Sequence, residues 1–213
     1  MAPQSLTKTT LVSAAKHLAK RDRDLASILD AYGPPPMWAR PASFNTLVRI
    51  ILEQQVSLVS AASMYQRLRS NIDPFRPHRF VELGELHFKS LGVTRQKTSY
   101  CIDLAESLVS RRLKLSALSK MSDDEVKAAL MEVKGIGSWS AEVYLLMALL
   151  RPDIWPSSDV ALASAVTNLK RLDKRPGYDE LQRMAESWRP FRSVAARMLW
   201  QYYLARRRRK STS

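Results

Sequence analysis

The sequence predicts an all-α protein. Apolar residues recur three or four positions apart along most of its 213 residues, which is the spacing that lines one face of a helix. No stretch alternates apolar and polar residues for long enough to predict a strand, and no Asn-Gly pair marks a β-hairpin turn. With 46% apolar residues, the chain has enough side chains to form a buried core.

The first helical segment runs from Thr9 to Tyr32 and follows residues 1–8, which we expect to be a loose N-terminus. Its apolar stripe predicts two short amphipathic helices that break near Lys20–Asp22. The prolines of Gly33-Pro34-Pro35-Pro36 then end this segment, because proline cannot continue a helix and disfavours helical backbone in the residue before it.

Two further helical stripes, Phe44–Ile51 and Leu58–Leu68, flank the polar stretch Glu53-Gln54-Gln55-Val56-Ser57. The glutamine pair therefore lies at a helix junction, where a plain exposed turn remains an alternative to a functional role. Shorter helical pieces follow and end at Gly92.

The next helix is predicted over Arg95–Arg111, where Cys101 lies on the apolar stripe and is expected in the core. The start of this helix, Arg95-Gln96-Lys97, is either a phosphate contact or a solvated polar face.

A glycine-rich turn, Val133-Lys134-Gly135-Ile136-Gly137-Ser138, separates two more helical patterns. The first pattern begins at Ser122, a capping residue that three acidic residues follow, and ends at Met131. The second, from Ser138 to Leu150, is apolar on nearly all sides and should be buried. The N–H groups that open this second helix suit a phosphate, although a plain helix–turn–helix pair with a glycine cap would read the same way.

About twenty residues later, Asp159 stands alone in Trp155-Pro156-Ser157-Ser158-Asp159, just before an apolar helix pattern. From its position, Asp159 is either an N-cap or a functional carboxylate, and the two roles are compatible. The last helix is predicted after Trp188-Arg189-Pro190-Phe191-Arg192-Ser193 and runs through Tyr203. The five basic residues Arg206–Lys210 are expected to be a solvated, frayed tail that attracts phosphate without specificity.

The charge balance indicates a polyanionic partner. Lys and Arg outnumber Asp and Glu by 34 to 20, a formal net charge of +14, and nucleic acid is the commonest partner for such a field. A single cysteine excludes an internal disulfide and any four-cysteine zinc or iron–sulfur site, and His17, His78 and His87 lack metal-ligand spacing. No apolar run reaches the length of a membrane span, so an intracellular protein without membrane contact is expected.

The glycine turn followed by a lone aspartate resembles the helix-hairpin-helix–Gly-Pro-Asp superfamily of DNA base-excision glycosylases, and its alkylbase branch, 3-methyladenine DNA glycosylase II, most closely. The resemblance covers roughly residues 20–205. It implies a single glycosylase domain over 1–213, built from two helical lobes with a DNA-binding cleft between them. The partner it implies is double-stranded DNA containing damaged bases, bound by a monomer.

The resemblance also assigns roles to residues. Lys134, Gly135, Gly137 and Ser138 would grip the DNA backbone, because phosphate contacts position an enzyme without reading sequence. The stretch Gln54-Gln55-Val56-Ser57 matches the family's wedge, so Gln55, with Gln54 and Val56 beside it, would fill the gap left by the extruded nucleotide.

Asp159 would be the catalytic residue of such an enzyme. Breaking the N-glycosidic bond builds positive charge on the deoxyribose, which a nearby carboxylate stabilises. Strand-nicking relatives carry a nucleophilic lysine two residues after the second hairpin glycine, whereas this chain has Trp139, which predicts a monofunctional enzyme. The aromatic residues proposed to line a pocket for a cationic base are Trp139, Tyr144, Trp200 and Trp38. In the familiar member of the branch a tyrosine stands where Val143 stands here.

The predicted function is therefore hydrolytic excision of alkylated purines, of the 3-methyladenine and 7-methylguanine type, that leaves an abasic site. The alternatives are a non-catalytic protein that binds damaged or structured DNA, and a glycosylase for deaminated or oxidised purines. No cofactor is expected, apart from a monovalent or divalent ion that can bridge hairpin and phosphate. We expect the protein in the cytoplasm or nucleoid of a bacterium, or in the nucleus of a eukaryote.

Overall fold

The structure, a computed structural model, describes residues 4–211 and confirms the all-α prediction: no strand occurs within that range. The helices are, in chain order, α1 (Lys8–Arg21), α2 (Arg23–Tyr32), α3 (Phe44–Glu53), α4 (Leu58–Asn71), α5 (Pro77–Ser90), α6 (Arg95–Val109), α7 (Leu115–Leu118), α8 (Asp123–Met131), α9 (Ser138–Met147), α10 (Val160–Leu169), α11 (Tyr178–Ala185) and α12 (Arg192–Ser211), with a 3₁₀ turn at Glu186–Trp188. None of these helices is long and apolar enough to cross a membrane.

The chain forms two compact units. Unit 1 is the continuous stretch Arg40–Leu149, and unit 2 combines Gln4–Ala39 with the residues from Leu150 onward. Unit 1 thus interrupts the sequence of unit 2, whose helices come from both ends of the chain.

Unit 1 is organised around α3, which packs against α4, α6 and α9. The predicted apolar stripe of α3 is fully buried, as Leu47 and Ile51 illustrate. Cys101 of α6 is also fully buried, which confirms its place in the core and raises the pKa of its thiol to about 12. At Gly84, a positive φ of 64° breaks α5 into the two shorter pieces that the sequence predicts.

Unit 2 is organised around α12, which packs against α1, α2 and α10. Leu18, Leu25, Leu162 and Leu199 are fully buried residues of these four helices. The break between α1 and α2 falls at Asp22, as predicted, and this aspartate ends the first helix and caps the second.

The expected loose N-terminus is wrong for the part of it that the structure describes. Leu6 is buried, and its N–H donates to the Leu150 carbonyl at 2.8 Å. Thr7 and Thr10 form a reciprocal capping box, so α1 already begins at Lys8. Residues 1–3 lie outside the described range.

The expected frayed tail is also wrong, because α12 continues through the arginine run to Ser211. Arg206 and Arg207 lie over the rings of Tyr202 and Tyr203, one helical turn earlier, at 5.6 and 5.8 Å. Contacts between residues four apart stabilise a helix, which explains why the basic stretch extends it.

Candidate functional site

The glycine turn forms the predicted hairpin between α8 and α9. Ser122 and Glu125 make a capping box at the start of α8, and α9 begins at Ser138 after the turn. Gly135 has φ 83°, a left-handed conformation, and a Cβ atom there would lie 2.1 Å from the ring of Tyr100. Only glycine meets both conditions without strain, and Tyr100 had no role in the sequence analysis.

The start of α9 is arranged to accept an anion. Gly137 occupies the N-cap position with extended backbone, and no side chain caps the helix. A Cβ atom at Gly137 would meet no atom within 4 Å, so the approach to the helix start is open. The first turn of a helix presents backbone N–H groups and partial positive charge, which together suit a phosphate.

Two of the predicted backbone-binding residues are held by protein groups. The backbone N–H of Lys134 donates to Asp103 at 2.8 Å, while its side chain is exposed. The Ser138 hydroxyl donates to buried Glu142 at 2.9 Å, and Lys127 donates to the same carboxylate oxygen at 3.1 Å. The Ser138 hydroxyl is therefore engaged within the protein, so its backbone N–H is the group that this residue presents at the start of α9.

Gln54 does not have the geometry of a wedge, which corrects that part of the sequence analysis. Its side-chain amide donates to the Gly135 carbonyl and to the Ser140 hydroxyl, both at 2.8 Å. These bonds tie the end of α3 to the hairpin across 81 positions of sequence. Gln54 therefore acts as a brace of the hairpin.

Gln55, the residue predicted to be the wedge, is open to solvent. It has a left-handed φ of 56°, which is uncommon for a residue other than glycine. Val56 beside it is 39% exposed, and Ser57 caps α4 through its hydroxyl. The glutamine therefore lies in the short exposed turn between α3 and α4.

Lys97 of α6 stabilises the end of α3 that precedes this turn. Its ammonium donates to the carbonyls of Leu52 and Gln54, the latter at 2.9 Å, at the C-terminal end of α3. Lys97 is buried, and burial lowers the pKa of its ammonium. Both alternatives predicted for this stretch, a phosphate contact and a solvated polar face, are therefore wrong for Lys97, because its ammonium is buried and bonded to backbone carbonyls.

Asp159 is the N-cap of α10, as its sequence position predicts. Its Oδ1 accepts hydrogen bonds from the Leu162 N–H at 2.9 Å and from the Trp200 indole N–H at 3.2 Å. The residue is buried, at 8% exposure, and these two hydrogen bonds orient its carboxylate.

The tryptophans Trp200 and Trp38 form an edge-to-face pair, with ring centroids 6.4 Å apart. Trp38 has a left-handed φ of 47°. Arg197 of α12 donates to the adjacent Met37 carbonyl at 2.9 Å and is fully buried, which lowers its pKa to about 10. Sequence reasoning missed Arg197, although a lone arginine within the apolar run of α12 was a signal.

The other two predicted pocket residues, Trp139 and Tyr144, belong to unit 1. Trp139 is half-buried at the start of α9. Tyr144 is fully buried, and burial raises the pKa of its hydroxyl to about 12. The pocket role proposed for Tyr144 therefore finds no support in this structure, because the side chain has no accessible surface for a base to contact.

The predicted motif before α12 supports the loop that leads to Asp159. Arg192 binds both carboxylate oxygens of Asp153, at 2.9 and 3.0 Å. The Ser193 hydroxyl accepts from the Ile154 N–H at 2.8 Å. Within residues 4–211, no group of three or more His, Cys, Asp or Glu residues is placed to hold a metal ion.

The family model described as "HhH-GPD superfamily base excision DNA repair protein" matches residues 48–190, a stretch that holds both the hairpin and Asp159. The chain belongs to the HhH-GPD superfamily. This HhH-GPD protein is 26% identical over 184 residues to "Putative DNA-3-methyladenine glycosylase YfjP" of Bacillus subtilis, covering 83% of this chain and 64% of that protein. It is 27% identical over 195 residues to the "Alkylbase DNA glycosidase-like protein mag2" of Schizosaccharomyces pombe, covering 88% and 92%.

The fold of this HhH-GPD protein matches that of the S. pombe 3-methyladenine DNA glycosylase Mag1, solved in complex with abasic DNA. The TM-score is 0.83 at 24% identity, over 89% of this chain and 95% of that one. At this identity the match shows the shared fold. The chain spans just under two thirds of the length of the B. subtilis relative.

Proposed function

We propose that this protein is a monofunctional DNA glycosylase that removes alkylated purines from double-stranded DNA during base excision repair and leaves an abasic site. Membership of the HhH-GPD superfamily supports the repair role, and the names of the relatives support alkylated bases as substrates. The observation that carries the proposal is the Asp159 carboxylate, which the α10 amide of Leu162 and the indole of Trp200 hold in one orientation. It would act wherever the genome is kept, in the nucleoid or the nucleus.

The hairpin would provide the grip on DNA. The backbone N–H groups at the start of α9, next to Gly135 and Gly137, would bind a phosphate beside the lesion, with the exposed Lys134 adding charge. The exposed Gln55, flanked by Val56, would occupy the space that the extruded nucleotide leaves in the duplex.

Asp159 would supply the chemistry. As the C1′–N bond breaks, its electrons leave with the base, and positive charge develops on the sugar. A carboxylate held close to C1′ stabilises this charge electrostatically. A water oxygen then bonds to C1′ and releases a proton, so no covalent enzyme intermediate forms.

Trp139 supports the monofunctional assignment, because it occupies the hairpin position where strand-nicking relatives carry a lysine nucleophile. An alkylated purine already carries positive charge and leaves without prior protonation. The faces of Trp200 and Trp38, which pack edge to face, would attract such a cation.

Asp159→Asn tests the proposal. Asparagine caps a helix as well as aspartate does, so the fold should persist, while base release from duplexes with single 3-methyladenine or 7-methylguanine lesions should fall about 100-fold or more. The readout is the fraction of alkali-labile sites in a single turnover. Unchanged turnover by the variant would remove Asp159 from the mechanism.

Asp22→Asn is a matched control. Asp22 caps α2 and accepts a hydrogen bond from the Trp188 indole at 2.9 Å, as Asp159 does from Trp200, and the variant should release bases normally. Borohydride added during turnover should trap no protein–DNA adduct, and a trapped adduct would contradict the monofunctional mechanism. Duplexes with deaminated, oxidised or etheno-adduct bases test the alternative that the enzyme is a glycosylase for deaminated or oxidised purines. Tight binding without release from any lesion would favour a non-catalytic protein.

A further inference from the structure

Unit 2 has a cluster of basic residues away from the hairpin. It lies where the start of α2 and the end of α10 meet α12. A cavity of about 710 Å³ opens there. We call it the basic pocket, and its charged lining residues are Arg23, Asp24, Lys170, Arg171 and Arg206. Nothing in the hairpin mechanism uses these residues.

The basic pocket retains an excess of positive charge. Asp24 is its only lining carboxylate and is paired with Lys170 at 2.7 Å. Arg206 donates to the Tyr202 hydroxyl at 3.1 Å, a bond that leaves its charge uncompensated. Within the described part of the chain, neither Arg23 nor Arg171 forms an ion pair, and both are exposed. Exposed guanidinium groups with their donors available are well suited to phosphate oxygens.

Arg171 occupies a position that suits glycine better. The Lys170 N–H bonds to the Val166 carbonyl at 2.9 Å and the Leu172 N–H to the Thr167 carbonyl at 3.0 Å, a helix ending that requires a left-handed residue between them. Arg171 is that residue, with φ 52°. A side chain in this conformation is strained, so this arginine lowers the stability of the helix end that it occupies.

We propose that the basic pocket is a second phosphate-binding site, separate from the hairpin, that takes a phosphodiester of the DNA backbone. Arg206 lines the pocket, and the exposed Arg207, Arg208 and Arg209 follow it along α12, so the positive charge near the pocket fits an extended polyanion better than a small one. The proposal rests on DNA as the ligand of this protein, but it does not depend on base release.

The test is Arg171→Gly, with duplex binding measured by fluorescence anisotropy on an undamaged 25-base-pair duplex at several salt concentrations. We expect affinity to fall several-fold and the slope of log K against log salt to become shallower by about 0.9, the value for one lost phosphate contact. The thermal midpoint should rise, because glycine relieves the strained backbone. Arg23→Gln should weaken binding in the same way without that rise.

Arg111→Gly is the matched control. Arg111 is an exposed arginine with φ 60° in unit 1, outside the basic pocket. Its replacement removes the same charge and relieves the same kind of strain, so the thermal midpoint of the Arg111→Gly variant should also rise. The slope of log K against log salt should stay that of the wild type. A slope unchanged in Arg171→Gly, or equally reduced in Arg111→Gly, would overturn the proposal.

Two further measurements complete the test. One distinguishes a DNA phosphate from a small phosphate compound as the ligand, and the other distinguishes this proposal from the proposed glycosylase function. If tripolyphosphate raises the thermal midpoint of the wild type but not of Arg171→Gly, while both bind the duplex equally, the ligand is a small phosphate compound and the DNA proposal fails. The single-turnover rate of base release at saturating DNA should be unchanged in Arg171→Gly, and a fall would assign Arg171 to the reaction instead. The anisotropy measurement uses undamaged DNA. Its result can therefore be interpreted even if the protein has no glycosylase activity.

Discussion

Gly135 combines two independent constraints at a single position of the hairpin. Its left-handed φ of 83° disfavours any residue with a Cβ atom, and the ring of Tyr100 occupies the place where that atom would lie. Gly137, two residues later, has neither constraint, since its φ is −93° and the space beside it is open. The two glycines of the motif therefore serve different purposes: the first shapes the turn and the second keeps the start of α9 accessible.

This difference predicts unequal costs of substitution. Gly135→Ala should lower the free energy of unfolding by about 2–5 kcal/mol, from backbone strain and overpacking together. Gly137→Ala should cost less than about 1 kcal/mol. Urea unfolding measures both. Tyr100→Ala combined with Gly135→Ala should recover part of the loss, and equal costs for the two glycines would contradict this assignment.

At the scale of the element, the C-terminal end of α3 is stabilised from outside its own helix. Lys97 of α6 binds the carbonyls of Leu52 and Gln54, and Gln54 in turn binds the hairpin. The exposed Gln55 is thus flanked by groups held at both α6 and α9. A wedge that enters a duplex must resist displacement, and this bracing supplies that rigidity.

Lys97→Met should therefore affect the proposed wedge without touching it. The buried carbonyls of Leu52 and Gln54 would lose their donor, which should cost about 1–3 kcal/mol of stability. Base release should fall as well, because Gln55 would no longer be held in its left-handed conformation. The readouts are urea unfolding and single-turnover release.

Arg95→Met is the control, since it removes an exposed charge from the first turn of the same helix. It should leave stability and single-turnover release nearly unchanged. If Lys97→Met released bases as fast as the wild type despite its lower stability, the bracing role would be refuted.

At the scale of the whole molecule, the discontinuous construction of unit 2 has consequences for folding. α12 buries its apolar residues against α1 and α2, which come from the opposite end of the chain. Unit 1 instead has a core around α3 that is built from one continuous stretch of the chain.

A fragment of residues 40–149 should consequently fold alone, with helical circular dichroism and cooperative thermal unfolding. A fragment of residues 150–213 should not, because its buried face would be left open to water. Adding a peptide of residues 4–39 should restore helicity to the second fragment. Cooperative unfolding of residues 150–213 alone would show that the two ends of the chain are not interdependent.

Helix spacing, capping residues and the glycine turn are readable from the sequence because they act within about four positions. The cap at Ser122, the shorter helical pieces before Gly92 and the N-cap position of Asp159 were accordingly predicted correctly. The same locality explains the errors at the N-terminus and the basic tail, where Leu6 is held by the distant Leu150 and the arginines pack on preceding tyrosines.

From the sequence alone follow the all-α class, the hairpin, the aspartate at a helix start and the basic charge, since each is a matter of composition or of near neighbours. Only the folded chain decided that Gln54 binds the hairpin, that Lys97 points its charge inward, that Tyr144 is buried and that the strained Arg171 lines a pocket. These depend on which surfaces meet, and a hydrogen bond that spans 81 positions, like that between Gln54 and Gly135, leaves no periodic trace in the sequence.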